Sequence, residues 1–486
     1  MKDVNHSKHQ SVALLYSQEY VQILHSAMEH IHKDRDLLLS SLLYSCGFLR
    51  DTPKFFKVIK PKIAKRRNLE MFHSTDYLDL LEFPTGSSDS YQNSGSHLHR
   101  HNEDFLRLLD SYGLTDDCSV PTNPQEREML WRYCCAVAGA SIHGTKLLLR
   151  GDVDVSINWG GGRHHAHRDK AGGFCYINDV VLSIQEMLRF KKRVMYLDID
   201  IHHADGVQQA FYDTDQVMVI SLHRYVVGFF PSKSGSIKER GKHNTLGVGY
   251  NLNLPLPRDL QDVDMIKICD LIMNDIATIY DPDVIVLCVG ADGLRGDRLV
   301  KESCEGWSLT PECLAEVVRR VSSFCGGQNE ELSSDYGFRK RKLLVLGGGG
   351  YDPAPTAKAW LLSTAAACEG ARRGMVWNEL PKDIPRHEYF DRYGPSFELV
   401  GNLKGNTKYS PVHNSDSRIK NHDYDKIIDE AIEALLLSKL FLVKQRRDRE
   451  VSEVSFQGYD DEVDWTLDPK PNANNFYRKK SRRRKI

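Results

Sequence analysis

Short apolar runs alternate with amphipathic stretches along most of this chain. Apolar runs of about four to eight residues bounded by turn-forming residues are typical of buried strands, whereas apolar residues spaced three and four apart are typical of helices. The predicted strands start at Ala13 and cover 153–157, 194–201, 217–222, 283–289 and 342–346. The predicted helices cover 23–49, 123–149, 177–188 and 265–280.

Strands that alternate with helices indicate an α/β fold. Several of the predicted strands are apolar throughout, which is typical of a parallel sheet with helices on both faces. We therefore predict a central, mostly parallel β-sheet flanked by helices. Because three of the strands end in glycine or polar residues, loops from distant parts of the chain are expected to build one site at one edge of the sheet.

The chain has 486 residues, and 41% of them are hydrophobic, so it can bury a large core. A prior of roughly 150 residues per domain would suggest about three domains. The pattern instead continues without a low-complexity linker, which predicts one large domain at 13–403. The flanking predictions are a loose N-terminus at 1–12, polar insertions near 84–101 and 323–340, and a C-terminal extension at 404–486 with a helix at 424–443 and a basic tail.

Composition narrows the functional class. The formal net charge is −1, so the whole chain shows no excess of positive charge that would suit nucleic acid. The 11 cysteines form no CxxC pair and are interpreted as reduced core thiols. No apolar segment approaches the about 18 residues of a membrane span, and the amino terminus lacks a signal-peptide core. We expect a soluble, intracellular protein.

Two polar stretches are predicted to be exposed loops. Residues 57–65 are basic, and residues 83–102 are rich in Ser, Gly, Asn and His. The histidines of the second stretch, His97, His99 and His101, are of a type that binds metal, but an isolated polar tract favours a solvated loop.

The stretch VMYLDIDIHHADG carries the strongest chemical signal. Asp198, Asp200 and His202 alternate with isoleucines, and a period of two predicts that all three polar side chains share one face of a strand. Asp292 ends a second strand. Asp200, His202 and Asp292 together suit a catalytic metal such as zinc. Any one of them alone would more often cap a helix or pair with a lysine.

His164 and His165 follow three glycines and are candidate general bases or acids, because imidazole titrates near neutral pH. Asp198 and Asp205 are candidates to accept a hydrogen bond from one histidine each, which would fix its tautomer. The alternative is that the two histidines are loop residues packed against glycines.

Tyr351 follows four glycines, and its hydroxyl is a candidate donor to a developing oxyanion. A glycine-rich turn after a strand also suits phosphate, but the GK[ST] ending of a P-loop is missing. Phe174 and the pair Phe229 and Phe230 follow glycines and are candidates to wall an apolar channel, although burial in the core is the usual role of an aromatic residue.

The motifs GGRHHAHRDKAGGFCYIND, YLDIDIHHADG, SLHRYVVGFFP, GAD and LGGGGY, in this order, resemble the zinc-dependent class I histone deacetylases. YSQEYV and YGLTDDC are similar to the histone deacetylase 8-like branch. The resemblance covers most of the chain and implies the arginase/deacetylase fold. The chain departs from the family pattern at Arg163, at Ala204 and in PSKSG after Phe230.

The resemblance implies a role for each candidate residue. Zn²⁺, or Fe²⁺ in its place, would be held by Asp200, His202 and Asp292, and K⁺ by Asp198, Asp200, His202, Ser221 and Leu222. Catalysis would use His164 paired with Asp198, His165 paired with Asp205, and Tyr351. Substrate would contact Asp117, Gly173, Phe174 and Phe230, and Arg35 would lie at an acetate channel.

The implied activity is hydrolysis of the acetyl group from N6-acetyl-lysine. The expected partners are acetylated histone tails or other acetylated proteins and a corepressor complex, with no membrane and no sequence-specific nucleic-acid binding. The basic end RKKSRRRKI is typical of a nuclear import signal or of a contact with nucleic acid, and a solvated tail is the alternative. Import favours the nucleus, with the cytoplasm as the other compartment. The competing hypotheses are an acetylpolyamine amidohydrolase and a non-catalytic chromatin scaffold.

Overall fold

In the described part of the chain, eight parallel strands form a single sheet. The computed structural model describes residues 11–50, 56–82, 98–301, 305–326, 340–372, 380–400 and 422–456. The strands are β1 (Val12–Leu15), β2 (Phe56–Ile59), β3 (Val155–Asn158), β4 (Val194–Asp198), β5 (Val217–Arg224), β6 (Asn251–Leu256), β7 (Val284–Cys288) and β8 (Lys342–Leu346).

The longer helices are α1 (Gln18–His32), α2 (Arg35–Ser45), α4 (Thr75–Glu82), α5 (Leu98–Ser111), α6 (Pro124–Arg150), α7 (Asp179–Arg189), α9 (Asp262–Leu271), α12 (Pro311–Cys325), α13 (Pro353–Arg372) and α14 (His422–Phe456). The shorter ones are α3 (Arg66–Leu69), α8 (Asp205–Phe211), α10 (Thr278–Tyr280) and α11 (Arg298–Lys301). A π-helical segment, Ile272–Ala277, joins α9 to α10.

The strand order is β2-β1-β3-β8-β7-β4-β5-β6, and every neighbouring pair is parallel. The two strands that come last in the chain, β7 and β8, lie between β3 and β4. The sheet has a core on each face, because alternate residues of a strand point to opposite sides. Met195 and Leu197 pack with α9, α12 and α13 in one core, and Val194 and Tyr196 pack with α6 and α7 in the other.

The predicted α/β architecture with helices on both faces is therefore confirmed. The predicted strand 342–346 and the predicted helix 123–149 coincide with β8 and α6 to within a residue or two. The helical spacing predicted over 23–49 corresponds to two helices, α1 and α2, and the helical part ends at Ser45. Lys33 between them has φ +49° and ψ −138°, a backbone conformation that an α-helix cannot contain.

The prediction of strand 194–201 is wrong at its end, because β4 stops at Asp198. After Asp198, each carboxylate accepts a hydrogen bond from the backbone amide two residues further along the chain. Asp198 Oδ1 accepts from Asp200 N at 2.9 Å, and Asp200 Oδ1 accepts from His202 N at 2.9 Å. These local bonds turn the chain away from the strand direction. Asp200 and His202 thus lie in a loop rather than on one face of a strand.

The prediction of a loop at 57–65 is wrong in its first part, because β2 occupies 56–59 and pairs with β1. Residues 99 and 101 lie in α5 rather than in a loop. Strand β6 and helices α12 and α13 were not predicted. Other predictions fall wholly or largely outside the described residues: the loose N-terminus, His97, most of the two insertions, and the basic tail.

Among the described residues, those up to Leu442 form one compact unit, and the end of α14 from Val443 belongs to a second. Buried Ile428, Ala431, Leu435 and Leu442 of α14 join the same core as α12 and α13. The domain limit at 403 stays a prediction. No helix in the described part of the chain is long and apolar enough to cross a membrane.

Candidate active site

Four loops at the carboxyl ends of adjacent strands meet at one place. His164 and His165 follow β3, Tyr351 follows β8, Asp292 follows β7, and Asp200 and His202 follow β4. The order β3-β8-β7-β4 makes these strands consecutive in the sheet, which explains how residues far apart in sequence come together. All six side chains are buried.

Asp200, His202 and Asp292 form a tight cluster. Their ligand atoms all lie within 4.8 Å of one another. His202 Nδ1 is 3.2 Å from Asp200 Oδ1 and 3.0 Å from Asp292 Oδ2. One imidazole nitrogen and two carboxylate oxygens converging in this way can hold a metal ion.

Backbone contacts fix the two carboxylates. Gly349 N donates to Asp200 Oδ2 at 2.8 Å, and Ile201 N donates to Asp292 Oδ1 at 3.1 Å. A Cβ atom at Gly290 would collide with the Asp200 carboxylate, and one at Gly349 would collide with that of Asp292. These two glycines allow the close approach of backbone and ligand.

The charges of the cluster favour a cation. Burial and the charge of Asp200 raise the pKa of Asp292 to about 7. Burial lowers the pKa of His202, but its hydrogen bonds with Asp200 and Asp292 outweigh that effect and raise the pKa to about 10. Two buried carboxylates side by side repel each other, and a divalent ion would remove that repulsion. The donor set fits Zn²⁺ or Fe²⁺.

His164 belongs to a fully buried pair. Its Nδ1 lies 2.6 Å from Asp198 Oδ2, which also accepts the hydroxyl of Tyr196. Burial lowers the pKa of His164, but the carboxylates of Asp198 and Asp200 outweigh it and raise the pKa to about 9. His164 is therefore able to hold a proton at neutral pH.

His165 forms a second pair, with Asp205. His165 Nδ1 lies 2.7 Å from Asp205 Oδ1, and the rings of His164 and His165 are 4.0 Å apart between centroids. Burial and the charge of His164 lower the pKa of His165 to about 4. Neighbouring histidines whose pKa values are shifted in opposite directions suit separate acid and base roles.

The loop that carries the histidines is held by the start of α7, which sequence reasoning did not single out. Asp179 Oδ1 accepts from Arg163 N at 2.8 Å, and its Oδ2 accepts from Gly162 N at 3.1 Å. Asn178, the N-cap of α7, donates Nδ2–H to Ala166 O at 2.8 Å. The sequence signal that would have revealed this support is the pair Asn178 and Asp179, because Asn and Asp are typical of the start of a helix.

Tyr351 lies beside the carboxylate cluster with its backbone and its protonation state both fixed by neighbours. Its amide donates to Asp297 Oδ2 at 2.7 Å, a contact that sequence reasoning missed. Burial and the charges of Asp292 and Asp200 hold the pKa of Tyr351 well above its usual range, so the hydroxyl keeps its proton. His32 lies beside it, with ring centroids 6.0 Å apart.

Aromatic rings surround these groups. The rings of Phe174 and Tyr351 are 5.6 Å apart, and those of Phe230 and His165 are 4.8 Å apart. Gly173 and Phe174 both have left-handed backbones, with φ +54° and +59°, and a left-handed bulky residue is an outlier typical of functional sites. Gly173 N donates to Asp117 Oδ2 at 2.7 Å, which ties Asp117, predicted to contact substrate, to this turn.

Arg35 lies behind the glycine turn that precedes Tyr351. Its Nη1 donates to Gly348 O at 3.3 Å and to Gly350 O at 3.0 Å, and its guanidinium lies 4.7 Å from the ring centre of Trp360. Arg163, a departure from the family pattern, is also buried, and its Nη2 donates to Gly160 O at 3.2 Å.

The residues predicted for a monovalent cation are neighbours in the sheet. Asp198 of β4 is in register with Ser221 of β5, and Leu222 follows. Ser221 Oγ lies 3.3 Å from Ala204 N, and it is 3.0 Å from His223 Nδ1. The register brings Asp198 and Ser221 together, and the cation itself stays a prediction.

Comparison with known proteins decides the family. Residues 30–367 match the histone deacetylase domain. The chain belongs to the histone deacetylase family. It is 32% identical to histone deacetylase 8 of Xenopus tropicalis over 79% of this chain and 89% of the relative.

Two further histone deacetylases cover similar shares. Identity to histone deacetylase 8 of Danio rerio is 32% over 81% of this chain and 89% of the relative. Identity to histone deacetylase B of Dictyostelium discoideum is 33% over 83% of this chain and 82% of the relative. The predicted similarity to the histone deacetylase 8-like branch and the predicted lysine deacetylase activity are thereby confirmed.

Proposed function

We propose that this histone deacetylase hydrolyses N6-acetyl-lysine in histones and other proteins with Zn²⁺ held by Asp200, His202 and Asp292. The observation that carries the proposal is the buried three-ligand cluster beside two His–Asp pairs and Tyr351. Fe²⁺ is the alternative ion. When bound, the metal would supply Lewis-acid polarisation of the acetyl carbonyl and of the attacking water.

The two histidines divide the proton transfers. His165, whose pKa is lowered to about 4, is neutral and takes a proton from the attacking water at Nε2. His164, whose pKa is raised to about 9, remains protonated beside it. The leaving lysine amine then receives its proton from the same histidine pair. Asp198 and Asp205 hold the two rings through Nδ1.

Tyr351 donates its hydroxyl to the oxyanion that develops on the acetyl carbonyl. Phe174 and Phe230 line the tunnel for the aliphatic part of the lysine, and Asp117, together with Gly173, orients the substrate backbone at its rim. Arg35 lies at the channel through which acetate leaves.

Several finer assignments belong to the same proposal. K⁺ is the ion proposed beside Asp198 and Ser221, and a corepressor complex is the proposed assembly. The nucleus is the proposed compartment, on the strength of the sequence RKKSRRRKI, which lies outside the described residues.

Hydrolysis of an acetyl-lysine peptide by the zinc-loaded protein tests the proposal. Tyr351→Phe removes one oxyanion donor, which we expect to lower kcat by about 10²- to 10³-fold with little change in KM. Tyr44→Phe is the matched control, because Tyr44 is 53% exposed on α2 and should leave kcat unchanged.

Three results would contradict the proposal. Faster turnover of an acetylpolyamine than of the peptide would favour a small-molecule amidohydrolase. Full activity of Tyr351→Phe would remove the oxyanion role. Absence of turnover on both substrates by protein that has bound metal would favour the scaffold hypothesis.

A further inference from the structure

His167 contacts the active-site carboxylate Asp205 from outside the catalytic pair. It lies two residues after His165, in a turn where His167 N donates to Lys170 O at 2.8 Å. His167 Nε2 lies 3.2 Å from Asp205 Oδ2, and His167 Nδ1 lies 2.5 Å from Gln209 Oε1. Asp205 and Gln209 are both on α8, one helical turn apart.

Both ring nitrogens of His167 face oxygen acceptors. With the Gln209 amide in this orientation, both partners are oxygens that accept hydrogen bonds but do not donate them, so both nitrogens carry a proton. An imidazole with protons on both nitrogens is positively charged. Burial lowers the pKa of His167, but the hydrogen bond with Asp205, the charge of Asp205 and the bond with Gln209 outweigh it, and the pKa is raised.

The Asp205 carboxylate is thus divided between two histidines. Oδ1 faces His165 at 2.7 Å, and Oδ2 faces His167 at 3.2 Å. Asp198, the partner of His164, is held differently. Its carboxylate also accepts hydrogen bonds from the Tyr196 hydroxyl and from the Asp200 amide, and both of these donors are neutral. Among the described residues, the pair of His165 and Asp205 is therefore held by a third, cationic side chain, whereas the pair of His164 and Asp198 is not.

We propose that His167 is a positioning residue that holds the Asp205 carboxylate with Oδ1 toward His165 and neutralises part of its negative charge. This inference rests on the proposed role of His165 in proton transfer. A carboxylate tied at both oxygens cannot rotate away from the ring that it orients, which is how outer hydrogen bonds support catalytic side chains.

His167 is open to water on its other side. Its side chain is 24% exposed, and it lines a cavity of about 700 Å³ that also reaches His165 and Phe230. The titratable groups that face this cavity, besides the histidines, are Lys170, Asp205, Tyr212, Asp213, Lys233, Glu239 and Lys242. A substitution at 167 therefore has room, and water can replace the lost side chain.

Steady-state kinetics of position 167 test the inference on the zinc-loaded full chain. His167→Ala removes the donor, and we expect kcat to fall by about 10-fold or more, as loss of an outer support does elsewhere, with KM within about twofold. His167→Gln keeps a neutral donor and should recover kcat to within about threefold, because a neutral hydrogen bond has about half the strength of a charged one. Wild-type kcat in the alanine variant, or a change in KM alone, would overturn the proposal.

Two measurements that do not need turnover complete the test. In ¹⁵N-histidine NMR spectra at pH 6.5, where an ordinary imidazole is about half protonated, we expect His167 to be mostly protonated on both nitrogens in the wild type and less so in Asp205→Asn. In a crystal structure of His167→Ala we expect the Asp205 carboxylate to rotate or to occupy two positions.

An unprotonated His167 nitrogen, or an unmoved Asp205, would overturn the inference. If instead the wild type does not hydrolyse acetyl-lysine, the proposed function fails, while the spectra and the crystal structure still decide whether His167 holds Asp205. Bound metal and melting temperature of each variant, measured in parallel, show whether a loss of rate arises from unfolding.

Discussion

Buried histidines in this molecule take their charge state from the groups that face them. His73, outside the active site, illustrates the neutral case. Its Nε2 accepts from Asn178 N at 3.0 Å, and its Nδ1 lies 3.2 Å from Arg168 O, an acceptor. Only the neutral ring, with its proton on Nδ1, satisfies both contacts. Burial lowers the pKa of His73 to about 4.

This shift gives the stability of the protein a pH dependence with a defined sign. Between a folded pKa of about 4 and an unfolded value of about 6.5, the unfolded state binds more protons, so stability rises with pH and is lost as pH falls through this window. Across this whole window, His73 contributes of the order of 3 kcal/mol to the change in the free energy of unfolding. We expect His73→Gln to show a smaller difference in unfolding free energy between pH 5 and pH 7.5, measured in urea. If the variant and the wild type show the same difference in unfolding free energy between the two pH values, His73 is not the source of the pH dependence.

Helix α14 supplies a test at the level of one element. Leu435 is 2% exposed and lies in the core, whereas Leu437 on the same helix is 48% exposed. We expect Leu435→Ala to lower the free energy of unfolding by about 2–5 kcal/mol through the lost burial and the cavity. Leu437→Ala, the matched control, should change it by less than about 0.5 kcal/mol. Equal effects in urea unfolding would contradict the packing of this helix on the core.

The strands show which elements a sequence can predict. Strands β7 and β8 lie in the middle of the sheet, and their unbroken apolar runs were recognised. Strands β2 and β6 are the two edges. Edge strands carry polar residues and proline, here Lys57 in β2 and Pro255 in β6, so they lack the apolar run that marks a buried strand.

At the scale of the whole molecule, metal removal should lower stability. A ligand that binds only the folded state contributes about 2.7 kcal/mol at 100 times its Kd. Chelation should therefore reduce the melting temperature, and added Zn²⁺ should restore it. Asp292→Asn should abolish the response. Asp259→Asn, whose side chain is 71% exposed, should keep it. A melting temperature that is insensitive to the chelator, in protein shown to have lost its metal, would contradict a metal site in the folded core.

Some contacts of the site can be predicted from the sequence and others cannot. Residues at strand ends, such as Asp200, Asp292 and Tyr351, were predicted to meet because parallel strands end at one edge. The contact of His167 with Asp205 was not predicted, since nothing in local spacing shows that the turn after His165 reaches the start of α8 at this second point. Such pairs depend on how two turns pack against each other.

The strand order has a consequence for how the protein is made on the ribosome. Strands β3 and β4 are synthesised early, but β7 and β8 separate them in the sheet. The centre of the sheet is therefore completed by the strands that emerge last. Until they emerge, the edge of β3 that β8 will cover and the edge of β4 that β7 will cover have no partner and are open to pairing with other chains. A nascent chain that ends before residue 342 lacks β8 and with it part of the middle of the sheet. We expect chaperones to bind such a chain longer than they bind the complete protein.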